Sequence, residues 1–205
     1  MTVYGALKAN WRAGDKTLRW GYIIRYTLYW VFPVNKLFKR RPVYSLLSIL
    51  FHAGLILVPI FLLSHNQLWE KSLGITWFAI GKNLADILTV TTIITGIILV
   101  IVRLSSMPSR FLSRKQDYLW PILLIIPFIT GFLAANGGLT SSSYHFCMLA
   151  HVLSADLILL LIPFTKIAHC ILFPFSQLVS AQGWRFPANY GYDVAKTLER
   201  EELPI

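Results

Sequence analysis

Four long apolar blocks govern what this chain can fold into, at residues 43–64, 82–103, 118–135 and 144–175. Crossing ~30 Å of hydrocarbon takes about 20 helical residues at ~1.5 Å each, and every block is near that length or longer. The blocks are apolar on every side, whereas a membrane β-barrel alternates apolar and polar residues over segments of about 10. The expected fold is therefore an all-α integral membrane protein with a four-helix transmembrane bundle, or five helices if residues 21–34 also cross. Composition agrees: of 205 residues, 56% are hydrophobic and only 14% charged, about half the charged share of a soluble domain.

The run GYIIRYTLYWVFPV at 21–34 is short for a crossing and carries Arg25, while Tyr22, Tyr26, Tyr29 and Trp30 suit headgroup depth. It is expected to form an amphipathic interfacial helix. The organisation that follows is a basic N-terminal region at 1–42, a transmembrane domain at 43–178 and a polar tail at 179–205 ending near Glu199, Glu201 and Glu202. The formal charge of +10 belongs to Lys and Arg flanking the apolar blocks, so it marks topology and contact with membrane lipids, and nucleic acid is not an expected partner. Placing Lys36, Lys39, Arg40, Arg41 and the linker 103–117 in the cytoplasm puts loops 65–81 and 136–143 outside.

Cys147 and Cys170 both fall in the last apolar block, with no CxxC or CxxCH element to supply a redox dithiol or c-type haem site. The chemistry rests on the five histidines, His52, His65, His145, His151 and His169, which all lie in or beside apolar helices. Ionisable residues there usually face the bundle interior and serve function, although any single one is also satisfied by a nearby carbonyl. His151 and His169 are 18 residues apart, five turns of one continuous helix, so they are expected on one face with ~27 Å of rise between them. Antiparallel packing then pairs His52 with His169 and His65 with His151.

Two pairs at different depths suit bis-histidine ligation of two b haems, with His52 and His169 on the inner iron and His65 and His151 on the outer. Zinc wants three or four converging ligands and is a poorer account. An ideal helix leaves His52 and His65 about 140° apart, a mismatch that Pro59 between them is expected to reduce. His145 is the alternative outer ligand. A haem-free proton or ion transporter is the competing function for the same intramembrane polar residues.

The segments FHAGLILVPIFLLSH at 51–65 and HVLSADLILLLIPFTKIAHCILFPF at 151–175 resemble the two haem-ligand helices of membrane cytochrome b subunits of the respiratory nitrate reductase gamma type. The resemblance covers residues 43–178. The wide spacing of His52 and His65 around a proline is more similar to the branch associated with heterodisulfide-reductase-like and sulfite-reduction-linked complexes. The nitrate reductase type also has a clear first transmembrane helix, where this chain has only the run broken by Arg25.

That resemblance implies His52, His65, His151 and His169 as axial ligands, and menaquinone or ubiquinone as exchangeable substrate. A cytoplasmic iron–sulfur electron-transfer subunit is the implied partner, and a bacterial or archaeal cytoplasmic membrane the implied location. It places a quinone pocket near the outer haem with a lysine at the start of the next helix, the position of Lys82. Asp86 one turn later, and Asp156, are candidate proton acceptors, while Lys82 and Asp86 are equally placed for a structural ion pair. Arg103 and Lys166 are placed either to meet haem propionates or simply to mark topology.

Overall fold

The computed structural model describes Tyr4, residues 20–31, Lys39, residues 41–183, Lys196 and Glu199. Among them every regular element is a helix: α1 Trp20–Val31, α2 Pro42–Phe61, α3 Leu63–Leu73, α4 Lys82–Ser105, α5 Met107–Leu112, α6 Lys115–Asn136, α7 Ser141–Leu161 with a 3-10 turn Ile162–Phe164, and α8 Ala168–Gly183. Four of these, α2, α4, α6 and α7 with its 3-10 turn, are long and apolar enough to cross a bilayer. The protein is an all-α membrane bundle. The 12 residues of α1 reach only ~18 Å, well short of the hydrocarbon thickness. The basic residues 36, 40 and most of the acidic tail fall outside the described residues.

The chain forms two compact units, one of residues 35–165 and one of residues 1–34 with 166–205. In the second unit α1 and α8 pack together, with Ile23 fully buried. In the first unit α2 packs on α4, α4 on α6 and α6 on α7, so sequence neighbours are neighbours in space. Small residues set the spacing. A Cβ on Gly54 would coincide with the Thr92 hydroxyl, and one on Gly96 would lie 2.7 Å from both Phe51 and Ile125. Buried Thr89, Thr92 and Thr95 each donate to the carbonyl four residues earlier, at 2.8, 2.6 and 2.7 Å, so no hydroxyl is left unmet in the apolar interface.

Two expectations are corrected. The first block breaks at Leu62, which takes an extended ψ of 130°, and His65 therefore belongs to a separate helix, α3, within what reads as a loop. Pro59 lies inside α2, and the helix ends after it, at Phe61. The final block is not one long helix either. Pro163 sits in the 3-10 turn and Thr165 is extended at φ −134°, ψ 175°, so α7 ends before α8 begins. The five-turn relation of His151 and His169 does not apply, and the two residues lie in different units. Thr165 closes the break by donating its hydroxyl to Leu161 O at 2.8 Å.

Candidate functional site: a histidine pair at a capped helix break

The break at Leu62 leaves the last carbonyls of α2 without intrahelical partners, a general cost of a helix end. Each is taken up: Val58 O by Leu62 N at 3.0 Å, Pro59 O by His65 Nδ1 at 3.1 Å, Ile60 O by Trp77 Nε1 at 2.8 Å and Phe61 O by Ile80 N at 2.9 Å. Buried Asn66 holds the returning loop, accepting from Thr76 Oγ1 and Trp77 N, both at 3.3 Å, and donating to Trp77 O. Gly74 makes the turn at φ 68°, a conformation that favours glycine. Residues 74–80 thus strap the helix break and fix the entry of α3.

That strap aims His65 at α7. The His65 and His151 rings lie 6.0 Å apart between centroids and within 19° of parallel. His151 Nδ1 meets Pro127 O on α6 at 2.8 Å. A carbonyl only accepts, so both rings carry their proton on Nδ1 and leave Nε2 with a lone pair. Both contacts reach beyond the ring's own helical turn, so tertiary structure sets these two orientations. Gly131 makes the room: a Cβ there would lie 2.9 Å from His151 Cε1 and Nδ1. Burial holds the His65 imidazole below the ordinary histidine range, opposed by the Pro59 hydrogen bond and reinforced by His151, which favours the neutral ligand form.

A neutral imidazole whose Nδ1 is held by a hydrogen bond is able to offer Nε2 as a metal ligand. The Gly131 cradle keeps a backbone rather than a side chain beside His151. Among the described residues, no three His, Cys, Asp or Glu side chains converge on a metal-sized position, so a site assembled from this chain's side chains alone is not formed there.

The other candidates are placed as follows. His52 Nδ1 meets Ser48 O at 2.7 Å, His145 Nδ1 meets Ser141 O at 2.6 Å and His169 Nδ1 meets Lys166 O at 2.5 Å, all within one helical turn. Lys166 and His169 are exposed members of the second unit. Lys82 and Asp86 pair at 2.7 Å, and Asn136 of α6 completes a triad by accepting from Lys82 and donating to Asp86 Oδ1 at 3.2 Å. The sequence reading missed Asn136, whose signal was a polar residue closing an apolar block.

Arg103, at the other end of α4, donates to Tyr44 OH at 3.2 Å and pairs with Asp117 at 3.6 Å, joining α2, α4 and α6. Asp156 lies five residues past His151, about 140° around α7, so it faces away from the histidine pair. Trp120 is only 8% exposed, and its Nε1 has no acceptor among the described residues.

No family model matches the sequence, and no solved structure matches it. Over 155 residues it is 33% identical to a protein of Nitratidesulfovibrio vulgaris strain Hildenborough that carries only the name "Protein", a match spanning 75% of this chain and 67% of that one. At that identity and coverage, the chain belongs to the same family as the Nitratidesulfovibrio vulgaris protein.

Proposed function

We propose that this protein is a membrane cytochrome b subunit of a multi-subunit oxidoreductase, passing electrons between a quinone pool and a cytoplasmic iron–sulfur subunit by way of two b haems. One observation carries the reading: His65 and His151, from separate helices, present near-parallel rings 6.0 Å apart with both Nδ1 atoms directed to proline carbonyls. A b haem held there supplies one-electron chemistry. His65 and His151 would hold it, Pro59 and Pro127 fix their tautomers, and Gly131 leaves the space. His52 is the candidate ligand of the second within the first unit, and Trp120 Nε1, with no acceptor among the described residues, is a buried donor on the Arg103 side of the bundle.

The Lys82–Asp86–Asn136 triad stands on the same side of the bundle as His65, where α2 and α6 end and α4 and α7 begin. Lys82 is suited to donate to a quinone oxygen, and Asp86 to take a quinol proton as its bond to Lys82 loosens. Arg103 and the basic linker 103–117 mark the opposite end as the face for the iron–sulfur partner. By the lysine and arginine bias that face is cytoplasmic, and the resemblance to membrane cytochrome b subunits implies a bacterial or archaeal inner membrane.

The test is spectroscopic. Purified, reduced protein should show a b-type α-band and about two haems per chain by pyridine haemochrome. His65→Ala and His151→Ala should each remove the same haem and leave the other. A haem-free protein would favour ion or proton transport by the buried polar residues, and loss of different haems from the two variants would overturn the pairing.

A further inference from the structure

The one charged residue of α7 is Asp156, and it is exposed on the helix face turned away from His151. It lies ~12 Å of helical rise inside the Phe164 end of the span, well within hydrocarbon depth. Among the described residues it makes no hydrogen bond or ion pair. Its neighbours along the same face are Phe146, Leu149, Leu153 and Leu160, exposed by 73, 59, 59 and 67%. With Asp156 these positions step by three, four, three and four residues and fall within about 80° of arc. That is the seam of a helix packed on another at about 20°, with one polar residue interrupting it.

Exposed leucines alone would simply face lipid. A carboxylate in their midst has no donor among the described residues, and such a group in a membrane is usually met by a partner. We propose that this seam docks a transmembrane helix of another subunit carrying a lysine or arginine level with Asp156. A cation is the complement of an unpaired carboxylate. A second copy meeting through the same seam would set Asp156 against Asp156, two like charges in a medium that screens them poorly. The inference uses none of the histidines and is independent of haem binding.

The probe is a synthetic transmembrane peptide of about 20 Leu and Ala residues with one central Lys and a photoactivatable leucine one turn away. It is incorporated with the full chain into phosphatidylcholine vesicles, alongside an all-apolar peptide and one with Glu replacing Lys. The Lys peptide should cross-link to residues 149–160 about tenfold more than the apolar peptide, with the excess lost in Asp156→Leu and reduced in Asp156→Asn. Circular dichroism should show both variants as helical as the parent, since the side chain is exposed. Equal labelling by Lys and apolar peptides, labelling concentrated on α2 or α4, or an excess that survives in Asp156→Leu would overturn the proposal. Preference for the Glu peptide would overturn it in favour of paired carboxyl groups, the contact a second copy would make.

Discussion

Gly131 illustrates how little space separates the two helices that carry the site. An added methyl at that position meets the His151 ring at 2.9 Å, so the imidazole must leave Pro127 O or α6 and α7 must separate. Gly131→Ala should therefore destabilise the first unit by about 1–3 kcal/mol, the usual cost of overpacking. Gly81→Ala, where an added Cβ meets nothing, should stay within about 0.5 kcal/mol. Reversible unfolding in detergent compares the two. In the His151→Ala background the Gly131→Ala penalty should largely vanish, because the obstructing ring is gone. A penalty of the same size in both backgrounds would show that the glycine serves some other contact. Glycine, proline and histidine were each visible in the sequence here. Their mutual contact was not, because it joins residues 127, 131 and 151 across a helix boundary.

At the scale of elements, the helix break at Leu62 carries the most consequence. A continuous α2 would point His65 roughly 140° away from His52 and leave its direction to an uncertain kink. The break instead hands His65 to α3 and lets the strap 74–80 satisfy the freed carbonyls. Asn66 is the fastener, with three hydrogen bonds to Thr76 and Trp77. Asn66→Ala should raise amide exchange at Trp77 and Ile80 on the order of tenfold while the middle of α4 stays protected. Unchanged exchange at Ile80 would mean that the stacked Phe61 and Phe78 rings hold the strap without it. Nothing in the local pattern announces this arrangement, since proline at 59 predicts a kink three residues too early. The second break falls at Pro163, where apolar residues on both sides make the block look continuous.

For the whole molecule, the arrangement of spans sets which ends face which compartment. Residues 72 and 109 lie at opposite ends of α4, the one in α3 and the other in the basic α5. With Cys147 and Cys170 replaced by serine, Ser72→Cys should react with an impermeant thiol reagent in intact cells, and Ser109→Cys only after lysis. Labelling of both from one side would show that α4 does not cross; the reverse pattern would invert the orientation and move the docking face. The number of spans and the all-helical class were determined by the sequence itself. A bilayer leaves a backbone few alternatives once the apolar blocks exceed its thickness. Tertiary structure alone decided that α3 is a helix, that His65 meets His151, and that Asn136 joins Lys82 and Asp86. Those outcomes turn on side-chain directions after each break and on which carbonyl a distant donor reaches. Hydropathy carries no record of either, because an apolar block looks the same whichever way its few polar residues point.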